Sequence, residues 1–399
     1  MSAGDTAWVL TASALVLVMT IPGLALFYGG MVRNKNVLST MMLSFISVCV
    51  VSVIWVFWGY TIAFGSDING LLGSFEFLGL NGVGGEALSG TGIPHSAFMI
   101  FQLMFAGITV ALISGAIAER MKFSAFVLFG AIWVTVIYAP LAHWVWGGGW
   151  LMELGALDFA GGTVVHISSG VAALAAALVL GKRHGYGSEK MAPHNLPFTV
   201  IGASLLWVGW FGFNAGSALA ANGLAANAFV ATHVATASGV LAWIAIERVY
   251  SGRPTVLGGA SGAVAGLVAI TPAAGFVGPL SAIIIGLGGG VFCYLGVMWK
   301  GRFGYDDALD VLGIHGIGGT WGALATGLFA SMGGGIGLFY GNPGQVVTQL
   351  IGVGATWVFV FVGTYIILKV LDATIGLRVE KDEEVIGLDL SEHNERAYG

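Results

Sequence analysis

The chain has 399 residues, 57% of them hydrophobic and only 9% charged, with a mean hydropathy of +0.89. A soluble domain carries about 25% charged residues, so composition excludes an ordinary water-soluble enzyme or binding module. The basic residues lie in short loops without aromatic interleaving, and no nucleic-acid partner is expected.

A helical membrane crossing needs about 20 apolar residues. The hydrophobic runs predict eleven, near residues 7–32, 37–64, 96–118, 123–142, 161–180, 196–220, 226–246, 255–271, 278–299, 311–332 and 346–371. The opening Met1-Ser-Ala-Gly-Asp5 lacks the positive region of a signal peptide, so the first run reads as a retained span. The eighth is the shortest and ends at Thr271-Pro272. Cys49 and Cys293 both fall inside spans, which indicates no disulfide framework. The 65 glycines read mainly as close-packing faces between helices in a bilayer.

All fifteen Lys and Arg fall into six clusters: Arg33/Lys35, Arg120/Lys122, Lys182/Arg183/Lys190, Arg248/Arg253, Lys300/Arg302 and Lys369/Arg378/Lys381/Arg396. With eleven spans, these clusters are alternate loops plus the C-terminal segment, all on one side. The positive-inside rule makes that side cytoplasmic and puts the N-terminus outside. The expected location is the inner (cytoplasmic) membrane. The outer loops carry six acids instead, Asp5, Asp67, Glu76, Glu86, Glu153 and Asp158. A face of one sign raises the local concentration of counter-ions. Topology alone explains the missing bases there but not the acids.

Two histidines interrupt the apolar spans in matching contexts: His166-Ile-Ser-Ser-Gly170-Val-Ala-Ala-Leu174 and His315-Gly-Ile-Gly-Gly319-Thr-Trp-Gly-Ala-Leu324. An aspartate lies upstream of each, Asp158 and Asp310. Titratable groups at membrane depth mark substrate, ion or proton paths by default; the alternative is a core imidazole satisfied by a carbonyl or water. The two segments run in opposite directions through the membrane, which suggests an inverted repeat of spans 1–5 and 6–10 with an eleventh added. In such folds the path lies at the repeat interface. The domain reading is a transmembrane domain, 1–371, and a cytoplasmic regulatory tail, 372–399. By charge alone the tail is a solvated segment.

A narrow apolar path with two histidines restricts what can pass. A bare metal ion needs carbonyls or charges in place of its hydration, and the spans hold almost no carboxylates. An unneutralised cation in such a path is very unfavourable. Ammonium can give up a proton and become ammonia; potassium, of similar size, cannot. Histidine is the natural group for that proton, and two in contact titrate as a coupled pair. Aromatic faces at the outer mouth attract small cations. Candidates are Trp144, Trp146, Trp150, Phe101, Phe105 and the stretch Trp210-Phe-Gly-Phe-Asn-Ala-Gly-Ser217. For Trp144 and Trp150 an interfacial belt is the better reading. Asp158 either accepts the cation or caps the following helix, and capping is favoured.

These residues lie in motifs that resemble the Amt/Mep/Rh ammonium transporter family, bacterial or archaeal Amt branch. The motifs are Asp158-Phe-Ala-Gly-Gly-Thr-Val-Val-His166, Phe101-Gln-x-x-Phe105, Ala118-Glu-Arg120, Trp146-Gly-Gly-Gly-Trp150, Trp210 to Ser217, Thr271-Pro-Ala-Ala-Gly-Phe276 and His315-Gly. The resemblance runs from about Leu24 into the tail. It implies a homotrimer with one path per subunit and an ammonium site at Phe105, Trp146 and Ser217. It also implies a gate at Phe105 and Phe213, a pore pair at His166 and His315, and a required acid at Asp158 beneath the mouth. The tail resembles the family's regulatory C-terminus, which packs on the cytoplasmic face and couples to PII-family signal proteins. It departs from the family pattern at Asn394, where glycine is expected. No cofactor is implied.

The function expected is therefore ammonium uptake, not an enzyme. Net ammonia flow, ammonia plus a separately moved proton, and ammonium itself all fit the sequence. The sequence disfavours two other classes. A sensor would carry an added signalling domain after the last span, and this tail is too short for one. A metalloenzyme would need three or four grouped ligands, and only two plausible ones lie in the membrane, in different halves.

Overall fold

A backbone in hydrocarbon has no water to bond, so apolar sequence of this length folds as helix. The computed structural model describes residues 1–398. Among them, nine helical stretches are long and apolar enough to cross a membrane: Ala3–Met31, Asn34–Phe64, His95–Ile117, Phe123–Glu153, Gly162–Leu180, Leu196–Gly216, Gly223–Ser251, Pro279–Phe303 and Gly344–Thr374. Two shorter helical stretches take the other predicted positions. One is Val256–Ile270; the other joins a wide turn, Leu312–Gly316, to Ile317–Phe329. The protein is an all-α, multi-pass membrane protein. Its only strands among the described residues form a small antiparallel hairpin, Asp67–Ile68 with Leu72–Gly73.

The fourth span runs past its predicted end. Its helix continues to Trp146, breaks at the Gly147–Gly149 turn and resumes as Trp150–Glu153. Glycine serves close packing elsewhere: a Cβ at Gly239 would come within 2.7 Å of the Gly266 Cα, so two helices touch there backbone to backbone.

The basic end of the bundle is held by buried ion pairs. Glu119 accepts from the Arg33 amide (2.7 Å) and pairs with the guanidinium groups of Arg33 (2.9 Å) and Arg183 (3.1 Å). Arg183 also pairs with Asp306 at 2.8 Å. Burial raises the Glu119 and Asp306 carboxyls, but neighbouring arginines outweigh it and hold both below the ordinary range.

The segment after Thr374 is not a free solvated chain. Two short helices, Lys381–Ile386 and Leu388–His393, lie against this basic end. Asp389 Oδ1 accepts the Ser39 amide (2.8 Å) and Glu392 Oε2 accepts the Phe123 amide (2.9 Å), capping two spans whose own N-terminal side chains make no cap. Arg378 pairs with Glu384 and donates to the Leu180 carbonyl, the end of the His166 helix. Arg378, Glu384, Asp389 and Glu392 thus have partners, which charge counting along the sequence could not reveal. Asn394 closes the last helix at φ +53°, ψ +35°. That left-handed position favours glycine, and asparagine is among the few side chains that tolerate it.

Candidate functional site

Three separate helices bring Phe105, Trp146 and Ser217 to one cavity of about 190 Å³ at the acidic end, lined also by Phe101, Gln102, Met152 and Phe159. Trp146 meets the edge of Phe105, with centroids 6.0 Å apart, and its indole N–H donates to the Asp158 carbonyl at 2.9 Å. Ser217 Oγ donates to the Phe213 carbonyl, which leaves its oxygen lone pairs available. The aromatic belt readings are separable: Trp144 and Trp150 pack on each other and do not line this cavity.

Phe105, in the lining of the cavity, stacks on Phe213, which does not line it, with 4.2 Å between centroids and 29° between planes. Behind them lies the His166 ring, 5.9 Å from Phe213 and 5.3 Å from Trp210. His315 follows, with the two Nδ1 atoms 3.2 Å apart. Both imidazoles are buried, at 1% and 4% exposure. One unbroken line of rings therefore runs from the cavity into the bundle.

The hydrogen-bond inventory around Thr271 orders the protons on this pair. Its hydroxyl donates to the Leu267 carbonyl (2.8 Å) and accepts from the Trp210 indole (2.9 Å). Toward His166 Nε2, 3.3 Å away, it therefore turns a lone pair, and Nε2 carries the hydrogen. His166 Nδ1 then accepts from the Nδ1–H of His315. Trp210 and Thr271 both lie within the sequence motifs, but their 61-residue separation leaves no local signal for the bond between them.

Both histidines sit in wide π-helical turns, Gly162–Ile167 and Leu312–Gly316, a distortion frequent at functional sites. The glycine four residues after each histidine allows the crossing. A Cβ on Gly170 would overlap the Gly316 backbone, and one on Gly319 would come within 3.0 Å of the His166 Cβ.

Asp158 faces the helix, not the cavity. Oδ1 accepts the amides of Gly161 (2.8 Å) and Gly162 (2.7 Å), and Oδ2 those of Thr163 (2.8 Å) and Val164 (3.1 Å). Every partner is a donor, so the ionised form fits the site, with the helix dipole adding to it. The counterpart in the second half is Asp307, not Asp310. Asp307 accepts the Leu312 amide at 2.7 Å, whereas Asp310 pairs with Lys300. The signal was present in the sequence: Asp158 and Asp307 each precede their histidine by eight residues. Three residues after each, Gly161 and Asp310 both take positive φ.

Residues 7–398 match the sequence profile of the Ammonium Transporter Family. The chain belongs to that family. It is 55% identical over 405 residues to the ammonium transporter of Bacillus subtilis (strain 168), covering 100% of this chain and 99% of that protein. It is 51% identical over 400 residues to ammonium transporter Amt1 of Archaeoglobus fulgidus, covering both chains fully. The crystal structure of Saccharomyces cerevisiae Mep2 superposes with a TM-score of 0.90 at 38% identity, covering 96% of this chain and 88% of that one. Placed among these ammonium transporter family members, the ring line occupies the interior of a multi-pass bundle built on a shared fold.

Proposed function

We propose that this chain is an ammonium transporter that captures ammonium in the outer cavity, strips a proton from it and passes ammonia along the histidine line. Phe105, Trp146 and the Ser217 hydroxyl hold the cation; Phe105 and Phe213 form the gate. His166 and His315 handle the proton, which crosses separately from the ammonia, so transport is electrogenic. The observation that carries this reading is the unbroken line of rings from cavity to paired imidazoles, with no carboxylate bonded to either imidazole among the described residues. Asp158, whose carbonyl holds the Trp146 indole, has both carboxylate oxygens engaged by four amides. An intact cation has nothing to replace its water there, while a neutral molecule has no such need.

The same reading has eleven crossings, with spans 1–5 and 6–10 as inverted halves, supported by the matching offset of aspartate, left-handed residue, histidine and glycine. It puts the basic end in the cytoplasm of an inner membrane, with the N-terminus outside. The subunit assembles as a homotrimer, one path each. Residues 372–399 form a regulatory segment read by a PII-family protein, a role supported by its contacts with both the 37–54 helix and the end of the His166 helix. The test is uptake of radiolabelled methylammonium by proteoliposomes containing this protein alone. Saturable uptake supports transport; binding without accumulation would refute it and leave a sensor.

A further inference from the structure

His143 is fully buried, and both ring nitrogens face groups that can only accept. Nδ1 lies 3.0 Å from the Ala63 carbonyl, and Nε2 lies 2.8 Å from Asp67 Oδ1. A neutral imidazole has one N–H and can satisfy only one of them. The contact is therefore complete only with one extra proton, as an imidazolium facing a carboxylate. Asp67 is itself fixed, since both its oxygens accept the Gly70 amide at 2.9 Å.

This pair ties two strands of chain that build the outer mouth. The Gly70 carbonyl accepts the Trp150 amide (3.0 Å), and the Leu71 carbonyl accepts the Trp144 indole (3.0 Å). The His143 carbonyl in turn accepts the amides of Gly147 and Gly149 (both 3.0 Å), setting the turn that follows Trp146. A Cβ at Gly149 would come within 2.8 Å of the Gly70 carbonyl oxygen, so loop and turn are in contact at backbone level.

We infer that His143 is a positioning residue for the outer cation site: a one-proton latch with Asp67 that holds the 63–73 loop against the helix end carrying Trp146 and the turn that follows it. The inference rests on the cavity at Trp146 being the ammonium site. The latch opens in acid when Asp67 takes up a proton, an event held below the ordinary carboxylate range by the His143 hydrogen bond and then by the Gly70 amide. The elements packed against this helix also carry Tyr60, Tyr138, Glu153 and His166. Tyr60 is engaged with His95 at 2.5 Å, and His166 with His315 and Thr271.

The test pairs spectroscopy with kinetics on the full-length protein. Nitrogen-15 imidazole spectra, assigned by difference against His143→Gln, should show both His143 nitrogens protonated at neutral pH. In Asp67→Asn, whose amide can donate to a neutral ring, only one should be protonated. Methylammonium uptake kinetics are measured for each protein at neutral external pH. Asp67→Asn, which keeps a polar partner for the ring, should hold KM within about twofold of wild type. Asp67→Ala should raise KM about tenfold with kcat within about twofold, the scale of a small misplacement of a binding group. A singly protonated His143 in the wild type at neutral pH overturns the latch. So does an Asp67→Ala KM that tracks wild type while Trp146→Leu raises KM. If Trp146→Leu keeps the wild-type KM, the outer-site reading falls first and the positioning role falls with it.

Discussion

Replacing Asp158 separates a helix cap from a cation site. Four backbone amides end on its two oxygens at 2.7 to 3.1 Å. Asp158→Ala leaves four buried donors; at about 1 kcal/mol per lost bond the cost is about 4 kcal/mol, more where no water enters. Asp158→Asn retains one acceptor oxygen and turns an amide N–H₂ toward two donors. It should preserve the bonds from Gly161 and Gly162 and lose those from Thr163 and Val164, for a cost of about 2 kcal/mol. The assay is thermal unfolding of the detergent-solubilised protein beside methylammonium uptake. The expected order of stability is wild type, Asn, Ala, with Ala near inactive because the turn before His166 loosens and Trp146 loses a fixed carbonyl. Unchanged unfolding in Asp158→Ala, with a raised KM alone, would refute capping and return Asp158 to cation binding.

Ser217→Ala and Trp146→Leu should each raise KM for methylammonium while leaving the unfolding temperature unchanged, as each removes one cation contact; uptake against concentration checks this. Glu119→Gln should destabilise the basic end by about 3 kcal/mol, since it breaks a buried pairing with Arg33 and Arg183. Because Glu119 and Asp306 have folded values below the ordinary carboxylate range, their contribution is full above about pH 4.5 and is lost as pH falls through the folded values. Unfolding scans from neutral to acid pH should show that loss, reduced in Glu119→Gln. Deleting residues 387–399 removes the caps from Asp389 and Glu392, and should change uptake rate or its response to a PII-family protein without abolishing the path. A deletion indistinguishable from wild type in both would leave the segment without a regulatory part.

The spans and the histidines were legible because each violates or obeys a one-dimensional rule: twenty apolar residues make a crossing, and an imidazole inside one stands out. The cap at Asp158 was legible for the same reason, being local to its helix. Asp307 was missed in favour of Asp310 because proximity to His315 was weighed above matched spacing. The Thr271–Trp210–His166 bonds join distant spans, and no local pattern marks them. Charge alone reads the tail as solvated, whereas the family resemblance implies one packed on the cytoplasmic face; its acids cap helices 350 and 269 residues away, contacts that exist only after the bundle has formed.

The central claim is that the path carries ammonia past a proton-handling pair, and ammonium-driven and potassium-driven currents in liposomes test it most directly. Wild type should pass an ammonium-driven current and exclude potassium. His166→Asp places a fixed negative charge in the constriction and should admit potassium. Replacing both His166 and His315 with apolar residues should interrupt the proton and strongly reduce the ammonium current. Equal exclusion of potassium by all three proteins, with full ammonium current in the double variant, would contradict the account and reduce the pair to a polar packing contact.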